Sequence, residues 1–222
     1  SSVLLLPIDS QMSLSIPEQW FCRQIGKHLI VQLFAHVKSC RGTVVDAALA
    51  AVTNDGPVSF KLAFCEVFAF LTKDYSIMLK DHIGKIQKDL VFMFTVSEAQ
   101  APSEVLVKLL SAVCPLGQVN SAFLVFLLDT LRKLLLSRRV SDRLVSITGL
   151  CQLLRFSLTW TTFPFSYRSQ NLPSPITSAQ ASREQFQVQI LSSLQSALGF
   201  PVSLRSVLYK QLSKFLVDSI ER

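Results

Sequence analysis

The sequence predicts an all-α fold built from about nine short helices, and three observations carry that expectation. Half of the 222 residues are hydrophobic, 17% are charged and 7 are glycine. Such a chain is too apolar to be disordered and too poor in glycine for a turn-rich β protein. Apolar residues recur three and four apart in one segment after another, with no convincing strand alternation. Each segment is bounded by a capping residue, a proline or a polar turn at intervals matching an ordinary helix.

Taken in order, Ser15-Ile16-Pro17-Glu18 is a capping box with proline in the first turn, and it opens a helix to about Lys38. Phe21, Ile25, Leu29 and Leu33 recur four apart there and predict its packed face. A second helix spans about Thr43 to Thr53, and Asn54-Asp55-Gly56-Pro57 forces a turn. The third carries Phe60, Phe64, Val67, Phe68 and Leu71, an aromatic face wide enough to need burial on more than one side. A fourth runs from about Lys80 to Thr95, and a fifth from Pro102-Ser103-Glu104 to Cys114-Pro115. The sixth, Val119 to Ser137, shows Phe123, Phe126, Leu127, Leu131 and Leu134 on one side. Ser141 or a neighbour caps the seventh, through Val145, Ile147, Leu150, Leu153 and Leu154. Residues 159–181, rich in proline, serine and threonine, read as one long irregular segment; such loops are uncommon and often functional. Ser182-Arg183-Glu184-Gln185 reads as a second capping box that reopens helix, and a last helix follows Pro201.

Helix pairs this apolar cannot stand alone. They point to a right-handed α-solenoid of antiparallel helix pairs, HEAT/ARM-like in layout, in which neighbours cover each other's faces. No strict repeat period is visible, and a compact all-α bundle is the alternative. The expected division is residues 1–158 as solenoid pairs, 159–181 as a regulatory loop, and 182–222 as a continuing helical hairpin.

A mean hydropathy of +0.40 raises the question of a membrane segment. The longest charge-free run, between Lys108 and Asp129, is broken by Pro115, Gly117, Gln118 and Asn120. A spanning helix needs about 20 apolar residues without such breaks, so no membrane partner is expected. The high hydropathy instead predicts a slice of a larger protein whose apolar surfaces meet missing neighbours. Val3-Leu4-Leu5-Leu6 is too short for a signal peptide and is followed by Pro7 and Asp9. The 5 cysteines are scattered without disulfide or zinc spacing, and predict reduced, buried thiols in an intracellular compartment.

Little points to catalysis. His28 and His36 share a helix and His82 stands apart, none with a carboxylate at metal-ligand spacing. There is no phosphate loop, nucleophile elbow or Cys-x-x-Cys. No catalytic residue, metal or cofactor is expected. Charge is more informative: 22 Lys and Arg against 15 Asp and Glu give +7, a balance that favours a polyanionic partner. Arg132, Lys133, Arg138, Arg139 and Arg143 cluster around one predicted turn, opposed by Asp142. The dipole at a helix C-terminus accounts for Arg132 and Lys133 on structural grounds. Arg138 and Arg139 sit in the turn, where folding does not require them. Guanidinium groups so concentrated suit phosphate or an acidic protein face. No aromatic residues interleave with them, which argues against stacking on single-stranded bases. Ser169-Gln170, in the long loop, has the S-Q form read by DNA-damage kinases. A phosphate there is expected to add charge close to a basic neighbourhood, which could dock the loop or reset a helix pair.

The stretch Leu131-Arg132-Lys133 followed by LLLSRRVSDRLVSITGLCQLLR to Arg155 resembles the Fanconi anaemia group I protein family. There a Leu-Arg-Lys ends one solenoid helix, a basic, leucine-rich helix with a glycine follows, and a serine-rich loop with S-Q pairs comes next. Arg143, Gly149, Leu153, Leu154 and Arg155 fall at matching offsets, as do Arg205 and Leu208-Tyr209 later, and Gly26 and Phe34 upstream. The resemblance implies a non-catalytic nuclear scaffold of interstrand cross-link repair. It implies a heterodimer with a paralogous Fanconi partner subunit, clamping duplex or branched DNA. It also implies monoubiquitination by a dedicated conjugating enzyme and ligase, with Lys133 as acceptor, and phosphorylation at Ser169. Where the family loop often carries several S-Q pairs, this one has Ser169-Gln170 alone. A helical-repeat adaptor with no DNA role is the alternative.

Overall fold

A computed structural model describes residues 16–95, 102–159 and 175–220, and among these it contains nine α-helices and no strand. They are α1 (Ile16–His36), α2 (Arg41–Thr53), α3 (Val58–Asp74), α4 (Ile83–Thr95), α5 (Ser103–Val113), α6 (Ser121–Leu135), α7 (Val140–Thr159), α8 (Pro175–Ser196) and α9 (Val202–Ile220). Short 3₁₀ turns at Lys38–Cys40, Lys80–His82, Cys114–Gln118 and Ala197–Gly199 tighten the connections. Polar punctuation sets the boundaries. Asn120 Oδ1 accepts from the Phe123 N–H at 3.2 Å and caps α6. Arg41 donates to Phe34 O and Ala35 O at 3.1 and 3.2 Å, satisfying carbonyls left open at the end of α1.

The odd-numbered helices pack side by side, α1 on α3, α3 on α5, α5 on α7 and α7 on α9. The even-numbered ones form a second layer, α2 beside α4 and α4 beside α6, joined to the first through α2–α3, α6–α7 and α7–α8. This alternation is the two-layer stacking of a helical solenoid. One hydrophobic core runs the length of the stack, from Phe34 and Phe68 through Leu90, Leu109 and Phe123 to Ile190 and Leu208. Each such side chain contributes about 1.5–3 kcal/mol by leaving water.

Hydroxyl groups stitch the layers where backbone carbonyls face the interior. Thr72 Oγ1 donates to Ala112 O at 2.5 Å, linking α3 to α5, and Ser146 Oγ donates to Leu131 O at 2.6 Å, linking α7 to α6. Ion pairs Lys27–Glu66 (2.8 Å) and Lys85–Asp46 tie α1 to α3 and α4 to α2. Gly149 of α7 sits where α5, α6 and α7 converge. A Cβ there would lie 2.7 Å from Leu131 Cδ2 and 3.2 Å from Leu110 Cδ1.

Two sequence expectations are corrected. Ile25, Leu29 and Leu33 of α1 are exposed, Leu29 to 62%, and Phe34 with partly buried Ile30 and Val31 makes the contact instead. The helix is apolar on more than one side, so spacing alone did not choose the packed face. The helix expected from Ser182 begins at Pro175. Proline fits a first helical turn, since its fixed φ is already helical and its missing N–H is not needed there. Ser182 is buried inside the helix rather than capping it.

Candidate functional site

The turn from α6 to α7 is a tied corner. The Leu136 N–H bonds to Arg132 O and Lys133 O, and the Ser137 N–H to Leu134 O, closing the end of α6. The Ser137 hydroxyl donates to Asp142 Oδ2 at 2.6 Å and accepts from the Arg139 N–H at 3.2 Å. Asp142 lies in the first turn of α7, where a carboxylate meets the positive end of the helix dipole. Arg143 Nε reaches back to Ser137 O at 2.6 Å, and its guanidinium lies 4.8 Å from the Phe200 ring centre. That contact couples the α6–α7 turn to the α8–α9 turn.

On this frame the basic cluster divides. Arg132 donates to Ser193 Oγ at 3.0 Å and Gln189 O at 3.2 Å, clasping α6 to α8. Arg143 holds the corner itself. Both are half-buried, with guanidinium groups engaged within the chain. Lys133, Arg138 and Arg139 are exposed. Lys133 stands in the last turn of α6, flanked in sequence by the clasp and by buried Leu134 and Leu135. Its side chain is exposed at the end of α6. Sequence reasoning missed the partners of Arg132 and Arg143, because Gln189, Ser193 and Phe200 lie more than 50 positions away in the chain.

Ser169 lies outside the described residues. The flanks of its segment, Thr159 and Pro175, are at the far end of α7 from the corner. α7 has 20 residues, about 30 Å at 1.5 Å per residue. α8 runs back antiparallel to it, since Arg183 bonds to Leu158 O and Gln187 to Ser157 Oγ, while Phe200 meets Arg143. The described residues that flank this segment thus lie at the end of α7 away from the corner.

Burial pushes the Cys65, Cys114 and Cys151 thiols up to about 12, and with Cys40 they are free. His28 is exposed and His36 pairs with Gln32 at 2.9 Å. A cavity of about 510 Å³ on α1 and α3 is lined chiefly by apolar side chains, and of its ionisable residues among the described ones Lys27 is paired with Glu66. Among the described residues no group of three or more His, Cys, Asp or Glu is placed to hold a metal, and no helix is long and apolar enough to cross a membrane.

Paired helices stacked in two layers over one continuous core define the class: an all-α solenoid. The family model for FANCI solenoid 2 matches residues 4–151, which carries the resemblance seen at 131–155 across α1 to most of α7. The chain belongs to that family. Comparison with curated proteins gives no match.

Proposed function

We propose that this chain is a non-catalytic scaffold segment of nuclear DNA interstrand cross-link repair. It belongs to a subunit that pairs with a paralogous Fanconi partner and clamps duplex or branched DNA. Lys133 is its ubiquitin acceptor, Ser169 its phosphate acceptor, and Arg138 and Arg139 supply the contact to a polyanion, on DNA or on the partner. Membership of the FANCI solenoid 2 family supports the scaffold reading. The observation that carries the site is the exposure of Lys133 at the end of α6, one turn before the tied basic corner.

In the modification, the Lys133 Nζ attacks the thioester carbonyl of a ubiquitin-charged conjugating enzyme. An amide bond forms, the enzyme's thiol leaves, and the amine's proton is released. The chain supplies position alone: a helix end held by the Arg132 clasp and the Ser137–Asp142 corner.

The test is reconstituted ubiquitination of the full protein with its partner subunit, DNA, conjugating enzyme and ligase. Lys133→Arg abolishes modification while preserving the fold; modification at the wild-type level rejects the site. Duplex affinity measured against salt tests the DNA role, because phosphate contacts make affinity fall as counterions compete. A salt-independent or absent interaction leaves the adaptor reading.

A further inference from the structure

The edge of the solenoid that bears Arg138 and Arg139 carries more than charge. Leu136 is 83% exposed and Val140 60% exposed on either side of the two arginines, and Leu198 and Val202 are exposed on the α8–α9 turn, Val202 to 69%. These two turns adjoin, because Arg143 bonds to Ser137 O in one and stacks on Phe200 of the other. The result is one surface that carries two exposed arginines, Arg138 and Arg139, together with four exposed apolar side chains. Asp142, in the first turn of α7, accepts from the Ser137 hydroxyl and belongs to the same corner. The two arginines and Leu136, Val140, Leu198 and Val202 thus share one edge with a single carboxylate in these turns. The backbone beneath is held by the Ser137, Asp142 and Arg143 bonds, so docking here orders little that is not already ordered.

We propose that this edge is a protein-docking surface whose partner presents acidic side chains interspersed with apolar ones. The proposal rests on the polyanion reading of Arg138 and Arg139 and narrows it. Charge complementarity demands an anionic partner, and either nucleic acid or an acidic protein offers that. DNA backbone offers nothing for Leu136, Val140, Leu198 and Val202 to be buried against, and surfaces that bind duplex phosphate are dominated by polar and cationic groups. A cationic centre with an apolar surround matches an acidic segment with aliphatic or aromatic anchors: arginine pairs with carboxylate in bidentate geometry, and the anchors cover the apolar surround.

The test compares two labelled probes on the full chain by fluorescence anisotropy: peptides of Asp and Glu carrying Leu and Phe anchors at two- to five-residue spacing, and polyglutamate of equal length and charge. The wild type is expected to bind the best anchored peptide at least about tenfold tighter than polyglutamate, the effect of burying roughly one leucine side chain. In Leu136→Ser/Val140→Ser/Val202→Ser, which alters exposed positions only, that ratio drops to about one. Equal binding of the two probes by the wild type, or an unchanged ratio in the variant, overturns the proposal. So does a 30-base-pair duplex that binds tighter than either peptide and is weakened by the same serine substitutions. Arg138→Glu/Arg139→Glu weakens both probes if the cations make the contact. Unchanged affinity in that variant rejects the polyanion reading itself, an outcome distinct from loss of the anchor effect alone.

Discussion

Replacing Gly149 with alanine sets two effects of known sign against each other. In the interior of α7, alanine is favoured over glycine by about 1 kcal/mol, because glycine loses more backbone entropy on folding. Against this, the new methyl would lie 2.7 and 3.2 Å from the two Leu131 Cδ atoms and 3.2 Å from Leu110 Cδ1. An exposed leucine could swing away, but Leu131 and Leu110 are each 1% exposed within the junction of α5, α6 and α7. The helices cannot separate freely either, since Ser146 Oγ holds Leu131 O at 2.6 Å. Overpacking a filled core costs about 1–3 kcal/mol, so the clash outweighs the propensity gain. The net is a destabilisation of about 1 kcal/mol, read as a fall of roughly 2–4 °C in Tm for a chain of this size. Thermal unfolding followed by circular dichroism measures it. A double-mutant cycle sharpens the test. Leu131→Ala alone costs about 2–5 kcal/mol, but the methyl added by Gly149→Ala fills part of the cavity it leaves, so the double variant is less destabilised than the sum. An unchanged or raised Tm in Gly149→Ala, or strict additivity, refutes the packing argument.

Within the basic cluster, Arg143→Ala breaks the bond to Ser137 O and the Phe200 stack and is expected to cost about 1–3 kcal/mol, whereas Arg138→Ala stays within about 0.5 kcal/mol; comparable urea midpoints for the two contradict the division. The buried thiols set a pH dependence. Cys65, Cys114 and Cys151 are raised from an ordinary 9.0 to about 12 by burial, so their contribution to stability is full below pH 9 and is lost as pH rises toward 12. Stability is therefore flat in this respect below about pH 8 and declines through the alkaline range. At pH 8, iodoacetamide is expected to spare all three in the native chain and to label them in urea; native labelling contradicts their burial.

Much of the fold was legible because helix ends carry local chemistry. Asn54-Asp55-Gly56-Pro57 separated α2 from α3, and Pro102 preceded α5, as residues of those types do wherever they occur. The errors came where a local signal had two readings. Ser182-Arg183-Glu184-Gln185 has the residue types of a capping box, yet it lies inside a helix already begun at Pro175. Ile25, Leu29 and Leu33 are evenly spaced on α1 but face outward, because the choice of packed face belongs to α3 rather than to α1. At the candidate site the residue types were visible as a cluster, but their division was not. Arg132 and Arg143 are engaged by Ser193, Gln189 and Phe200, whose distance along the chain hides them from any local pattern.

By itself the sequence determined that the chain is helical, roughly where each helix starts and stops, and that cations gather at one turn; these follow from backbone capping, side-chain periodicity and composition, all encoded within a few residues. Only the tertiary structure decided which faces are buried, that Arg132 and Arg143 are engaged by residues distant in the chain, and that Lys133 stands exposed. Those outcomes depend on how helices distant in the chain compete to cover one another, and that competition is settled by packing across the whole stack.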